Sequence, residues 1–287
     1  MKGKVKRRVI AWVLSFALVM GTVLGGPGLF MKAHAADAGV LYIIDSIGGT
    51  PESVTEDCTD SAGGWSYDAG TATLTLDGFQ GEYIEANGDI NIVLKGKNKI
   101  TISAESTEGI KSTGKVTIDD TISPVQDCLD IYCNDGTESV SMIYTGGFGA
   151  DYATYIVGGT VNLVEENTRR RYVTGISRWA YVENDASLNI NLSADGGRNG
   201  AAALLNLNTS GDTSFRVNSL SSSSYGVYSL DKKGSGDTAL TAEGKAKNIG
   251  NKFTVGSTGN TGKITIKGYL TDFTPYRKKN RIVGVDN

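Results

Sequence analysis

The sequence predicts an all-β protein whose short strands stack as the coils of a parallel β-solenoid. Alternating apolar and polar segments, such as "INIVL" from residue 90 and "KVTID" from residue 115, recur along the chain and are bounded by Gly, Asn, Asp or Ser. This alternation buries one face of a strand and leaves the other in water. After residue 35, no extended stretch shows the 3.6-residue apolar period of a helix.

A repeat at one constant offset favours the solenoid over other all-β folds. The matched pairs are Ile84 and Ile110, Gly88 and Gly114, Ile90 and Val116, and Ile92 and Ile118. Stacked coils would place equivalent apolar residues above one another, with glycine at a corner where φ is positive. More loosely, the distance along the chain from Leu188 to Ile264 is close to three coils. Turn signals also fit an antiparallel β-sandwich, which stays open as the alternative.

Residues 1–35 have the pattern of a signal peptide. A basic start from Lys2 to Arg8 precedes the mostly apolar run 9–24, and Ala33-His34-Ala35 offers a small-residue cleavage site. We therefore expect the protein to be secreted and extracellular, with cell-surface association as a further expectation. After cleavage, no membrane contact is expected.

Cleavage after Ala35 also changes the chemistry that the chain offers. The single histidine, His34, is lost, which excludes histidine-based triads and His-Glu zinc sites. Six Lys or Arg leave and no Asp or Glu does, so the remaining chain is more acidic than the −3 of the whole. This charge argues against a nucleic-acid partner. The three cysteines allow at most one bridge, and Cys128 and Cys133 are close enough in sequence for a local loop.

The stretch "GWSYDAGTATLTLDGF" (64–79), followed by "GEYIEANGDINIVLKGKNKITI" (81–102), resembles a secreted carbohydrate-binding β-helix domain family of Gram-positive anaerobic bacteria. The close likeness covers residues 64–119. It implies a right-handed parallel β-helix that opens with an N-terminal hairpin, and polysaccharide and calcium as ligands. The expected organisation is a signal peptide (1–35), an N-terminal segment (36–63), a β-helix domain (64–270) and a tail (271–287).

Two aromatic groups are candidates for contact with sugar. In "RRRYVTGISRWAYVEND" (169–185), Tyr172, Trp179 and Tyr181 lie among Arg169, Arg170, Arg171 and Arg178. Trp179 and Tyr181 are two positions apart, so they share a face on a strand. Flat rings with Arg donors suit a sugar, especially an acidic one. The alternative is that these rings pack in the core. The other group, Trp65 and Tyr67, is expected to cover the end of the first coil.

An acidic stretch gives the candidate metal ligands. Asp119, Asp120, Asp127 and Asp130, with Asp135 nearby, offer the oxygen atoms that calcium prefers. Their spacing is not that of an EF-hand loop, so a solvated acidic loop between coils is the alternative interpretation.

Three functions remain open from the sequence. The leading hypothesis is a non-catalytic polysaccharide-binding or cell-surface module. The second is a calcium-dependent polysaccharide lyase or hydrolase that uses an Arg or Lys base. The third is a structural adhesin stalk without a small ligand. No catalytic motif is recognisable in the chain.

Overall fold

The computed structural model describes residues 41–46, 48–104, 106–120, 127–134, 136, 139–166, 172–194, 198–255, 262–268 and 285–286. The predicted signal peptide, Arg169, Arg170, Arg171, Asp135 and most of the predicted tail lie outside these residues. In chain order the strands are β1 (Leu41–Ile44), β2 (Glu52–Val54), β3 (Cys58–Asp60), β4 (Trp65–Asp68), β5 (Thr73–Asp77), β6 (Gln80–Gly81), β7 (Tyr83–Ala86), β8 (Ile90–Lys95), β9 (Lys97–Ile102), β10 (Glu108–Ser112), β11 (Val116–Asp119), β12 (Cys128–Cys133), β13 (Val140–Thr145), β14 (Thr154–Ile156), β15 (Thr160–Glu166), β16 (Tyr172–Asn184), β17 (Ser187–Ala194), β18 (Arg198–Thr209), β19 (Thr213–Ser219), β20 (Tyr225–Lys232), β21 (Thr238–Gly244), β22 (Lys247–Val255), β23 (Ile264–Lys267) and β24 (Val285–Asp286). A 3-10 helix covers Ala150–Tyr152.

The described strands form two sheets in which parallel pairing predominates. The first ladder joins β7, β10 and β13 to the first parts of β16, β18, β20 and β22. The second ladder joins β5, β8, β11 and β14 to the second parts of the same four strands. The third ladder runs β6, β9, β12, β15, β17, β19, β21, β23 and β24. The chain visits the three ladders in turn, and each pass pairs with the pass before it.

The repeat found in the sequence is the register of these ladders. Ile84 pairs with Ile110, Ile90 with Val116 and Ile92 with Ile118, as the constant offset predicts. Leu188 reaches Ile264 in three pairing steps, through Thr213 and Thr238. The looser match was therefore also a true register. An antiparallel sandwich does not agree with this pairing.

The core consists of apolar columns that run across the passes. One column of the second ladder is fully buried and contains Leu74, Ile92, Ile118, Ile156, Val182 and Leu207. Burying one such side chain contributes about 1.5–3 kcal/mol. A shift of one residue would turn a whole strand's apolar set outward, so burial fixes the register.

The corner glycines have two different reasons for being glycine. Gly88 has φ 114°, a conformation that other residues rarely adopt, as the sequence argument expected. Gly114 is a matter of space: a Cβ atom there would collide with a carboxylate oxygen of Asp89 and lie 2.7 Å from the Gly88 carbonyl carbon. The same pair of positions therefore needs glycine once for its backbone angle and once for close packing between passes.

Antiparallel strands lie at the N-terminal end of the described chain. β3, β4 and β5 pair antiparallel, and so do β2, β1 and β7. Trp65 and Tyr67 of β4 are 2% and 6% exposed, and the indole nitrogen of Trp65 donates to Asp45 at 3.3 Å. They are packed rings at the end of the second ladder, which agrees with the expected covering role.

The suggested local bridge between Cys128 and Cys133 is wrong. All three cysteines are free. Cys128 and Cys133 begin and end the same strand, β12, and they point to opposite faces because an odd number of positions separates them. An extended strand of that length holds the two sulfur atoms much too far apart for a bond.

Replacing Ile92 by Asp tests the core assignment. The carboxylate would enter a fully buried column without a partner, and we expect a loss of roughly 4 kcal/mol or more in the free energy of unfolding. Asn91→Asp is the matched control, because Asn91 is exposed on the same strand and should lose only its hydrogen bond to the Thr71 carbonyl, a cost of about 1 kcal/mol. Thermal unfolding followed by circular dichroism measures both. A tolerated Ile92→Asp would contradict the register.

Candidate functional site

The outward face of the second ladder carries Trp179 and Tyr181. Both side chains are partly exposed and lie on either side of Ala180, which is fully buried. They therefore project from the same face of β16, as their spacing predicted. β16 forms this ladder with β14 on one side and β18 on the other; Trp179 is paired with Leu204 of β18, whereas Tyr181 is paired with residues of both neighbouring strands.

Tyr155 of β14 belongs to the same surface, and sequence reasoning missed it. It pairs in register with Tyr181, and the two rings stack with centroids 4.7 Å apart and planes 7° apart. The Lys115 amino group lies 5.9 Å from the Tyr155 ring centroid. The offset between Tyr155 and Tyr181 is the one that separates Ile84 from Ile110, and that coincidence was the signal that could have found the pair. We call Tyr155, Trp179 and Tyr181 the aromatic face.

The two phenols of the aromatic face are hydrogen-bond donors at neutral pH. Burial raises the pKa of Tyr155, and the neighbouring Tyr181, Glu183 and Asp151 raise it further. Burial, followed by Glu183, likewise raises the pKa of Tyr181. The Tyr155 hydroxyl donates to the Ala150 carbonyl at 3.4 Å. Neutral hydroxyls suit sugar binding better than proton abstraction.

Arg178 lies at the corner where β16 passes from the first ladder to the second. The register shifts between Ile176 and Trp179, and Arg178 has φ 73°, which is strained for a residue with a Cβ atom. Its guanidinium carbon lies 3.7 Å from the ring centroid of Phe148, a side chain that is 76% exposed. Its Nε atom is buried and has no hydrogen-bond partner among the described residues. We call Arg178 and Phe148 the corner pair.

Tyr172 lies apart from the aromatic face. It begins β16 on the first ladder, is 40% exposed and pairs with Arg198. The corner at Arg178 separates it from Trp179 and Tyr181. The four sugar-contact candidates therefore divide into three neighbours (Arg178, Trp179 and Tyr181) and one residue on another ladder.

The four predicted calcium ligands also divide. Asp119 Oδ1 accepts the amide of Asp120 at 2.8 Å, and Asp120 feels the charges of Asp185, Asp127 and Asp119. Asp130 makes a different contact on the outer face of β12: its Oδ1 accepts the Asn162 amide at 2.6 Å. That bond opens a series in which Asn189 donates to Asn162 and Ser214 donates to Asn189.

The acidic residues near Asp120 repel one another electrostatically. Burial is the main cause that raises the pKa of Asp120, followed by Asp185, Asp127 and Asp119. Asp127 is 2% exposed; one of its oxygens accepts the Gly96 amide at 2.7 Å and the other has no partner among the described residues. In the described part of the chain, no group of three or more His, Cys, Asp or Glu is arranged to hold a metal ion.

Lys111 and Lys232 offer little to a lyase mechanism. The hydrogen bond with Glu85, at 2.8 Å, is the main cause that raises the pKa of Lys111 and keeps it protonated. Burial lowers the pKa of Lys232, but this side chain is fully buried at the end of β20 and donates to the Gly234 carbonyl at 2.7 Å. A substrate cannot reach it there.

Comparison with known proteins adds no assignment, because no family model, curated protein or solved structure matches the chain. Within the described residues, no helix has the length and apolar content needed to cross a lipid bilayer.

Asp120→Asn tests the acidic cluster. Because the folded-state pKa of Asp120 lies above its ordinary value of 3.8, its charge destabilises the fold at neutral pH, and this cost is lost as the pH falls through the folded-state value. We expect the variant to melt at a higher temperature than the parent at pH 7, with the difference shrinking towards pH 4. Asp130→Asn is the control. A lower melting temperature at pH 7 would contradict the account. If millimolar calcium stabilised the parent but not Asp120→Asn, these carboxylates would bind the ion.

Lys232→Met tests the buried amine. Because burial lowers the folded-state pKa, the unfolded chain binds more protons, and the parent gains stability as the pH rises from the folded-state value to the unfolded value of 10.5. We expect the variant to be more stable at pH 7 by about 1 kcal/mol or more, and to lose this pH dependence. Chemical denaturation at pH 7 and pH 10 measures both effects. Lys233→Met is the control, because Lys233 is exposed and paired with Asp231. A destabilised Lys232→Met would show that the amine is required.

Proposed function

We propose that this chain is a secreted, non-catalytic polysaccharide-binding module built on a right-handed parallel β-helix. The observation that most strongly supports this proposal is the aromatic face, in which three rings from two successive passes project from one ladder. The repeated register of the three ladders supports the β-helix, and the right-handed sense follows the proposed resemblance of residues 64–119. The partner would be a polysaccharide or a cell-surface glycan.

The aromatic face has the chemistry that a sugar ring needs. Trp179 offers a partly exposed apolar ring, and the Tyr155–Tyr181 stack is held by contacts within the protein before any ligand arrives. Sugar carbons pack on such rings while hydroxyls take hydrogen bonds from groups at the edge. Glu183 on the same strand and Lys115 beside Tyr155 supply an acceptor and a donor. Because strand pairing places the backbones that carry the three rings, little ordering of the aromatic face is needed on binding.

Location and partner class rest on the sequence. The signal-peptide pattern of residues 1–35 supports an extracellular site of action, where polysaccharides are abundant. The acidic balance of the remaining chain argues against nucleic acid. A polysaccharide lyase and a ligand-free stalk are the competing functions, and each predicts a different outcome in the experiment below.

Trp179→Ala tests the proposed site. The purified chain is run through native gels cast with a panel of plant and microbial polysaccharides, and one class should retard it. Loss of a stacking ring should weaken retardation by about tenfold, which corresponds to roughly 1.4 kcal/mol. The melting temperature should change by only a few degrees, because the ring is partly exposed.

Tyr132→Ala is the matched control, because Tyr132 is a 36% exposed tyrosine on the third ladder, beside Lys99. It should keep the parent's retardation. A large fall in melting temperature for Trp179→Ala would place that ring in the core. No retardation of the parent by any polymer would favour the stalk, and release of an ultraviolet-absorbing unsaturated product would favour the lyase.

A further inference from the structure

The donors of Arg178 have no acceptor among the described residues. Nε is shielded from solvent and has no hydrogen-bond partner in the described part of the chain, whereas the side chain as a whole is partly exposed. The guanidinium instead stacks on the Phe148 ring. Arg216 shows the usual alternative: it donates to Glu243 at 2.7 Å and to Asn191 at 3.2 Å.

The conformation of Arg178 is energetically costly. A left-handed backbone costs an ordinary residue about 1–2 kcal/mol, and glycine would avoid that cost. An unpaired buried donor adds a further penalty. The cation–π contact with Phe148 stabilises the side chain by about 0.5–1 kcal/mol at an exposed site, which is less than the combined cost of the backbone conformation and the unpaired donor. Strain of this kind points to a function for the side chain that carries it.

The corner pair has a prepared geometry for an oxyanion. The guanidinium carbon lies 3.7 Å from the Phe148 ring centroid, and this contact restrains a side chain that is partly exposed to solvent. A planar fork of N–H donors matches two oxygens of one anionic group, and fixing it in advance reduces the entropy lost on binding. Phe148 is 76% exposed, so it is available as an apolar surface for the sugar that bears the anion.

The charged side chains around the aromatic face favour an anionic group at the Arg178 end. Arg178 directly precedes Trp179, at the start of the second-ladder part of β16, whereas Glu183 lies near its end, about 16 Å away along an extended strand. Lys115 adds a second cation, beside Tyr155. Asp151 of the neighbouring 3-10 helix carries a negative charge that raises the pKa of Tyr155. The loop as a whole is therefore not positively charged. The positive end is set by specific side chains.

We infer that the corner pair is an anion subsite of the glycan site, and that the module selects an acidic polysaccharide. The anionic group is a uronate carboxylate or a sulfate ester, and its oxygens accept hydrogen bonds from the Nη groups of Arg178. The neighbouring sugar rings lie over Phe148 and Trp179. This inference rests on the proposed function and adds the class of ligand to it.

Matched pairs of polymers test the inference. Polygalacturonate is compared with its methyl ester, and dextran sulfate with dextran, in affinity gels and by isothermal titration. The parent should bind one acidic member at least about tenfold more tightly than its neutral counterpart. The polymer that shows this ratio identifies the anion as carboxylate or sulfate.

Arg178→Gln should bring that ratio close to one, and Arg178→Lys should restore it only in part, because lysine keeps the charge but not the fork. Arg216→Gln is the control: it removes the same charge from the third ladder and should keep the parent's ratio. Arg178→Gly adds a stability measurement, and its melting temperature should equal or exceed the parent's because the strain is relieved.

Each outcome bears on one or both of the two proposals. Equal binding of the acidic and neutral members by the parent would overturn the inference and leave the proposed function standing. An unchanged ratio in Arg178→Gln, or an equal loss in Arg216→Gln, would also overturn it. A clear fall in melting temperature for Arg178→Gly would make the arginine structural. No binding of any polymer would overturn both the inference and the proposed function.

Discussion

The structure depends on the in-register burial of apolar columns between parallel strands. Ile84, Ile110, Ile143 and Ile176 form one column of the first ladder, and each member is fully buried. No single pass of the chain can bury its own inner face, so each pass is stabilised by its neighbours. The register of the buried columns also fixes the positions of the outward side chains, because side chains alternate between the two faces of a strand. The stack of Tyr155 on Tyr181 is a consequence of the packing of Thr154 on Ala180 and of Ile156 on Val182.

The candidate site lies where the repeat is interrupted. Ile90 and Val116 pair at the regular offset, but a longer stretch of chain separates Val116 from its next partner, Thr154. Part of the extra length forms the loop that carries Phe148 and the 3-10 helix. Insertions at corners leave the ladders intact, so such loops can change without loss of the core. The strain at Arg178 is at the same corner, one pass later.

The sequence was sufficient for the features that follow from strict alternation and from a constant offset. It predicted an all-β chain, the register of Ile92 on Ile118, and the shared face of Trp179 and Tyr181. It did not reveal Phe148 as a neighbour of that face, because the loop that carries this residue follows no constant offset. Tyr155 was also missed, although it lies at the regular offset from Tyr181. Nor did it separate Asp130 from Asp119 and Asp120, since hydrogen bonds such as that from Asn162 depend on which passes are adjacent. The positive φ of Arg178 has no signature in residue type, because glycine or asparagine would be expected there.

A distance between spin labels at residues 99 and 265 tests the stacked register most directly. Lys99 and Thr265 lie in one column of the third ladder, and six pairing steps join them, through Asp130, Asn162, Asn189, Ser214 and Ala239. Strands about 4.8 Å apart predict a separation of about 29 Å. The three native cysteines would be replaced by serine before labelling. A distribution centred near that value supports the stack of passes, and one centred more than two strand spacings to either side of it would contradict the stack.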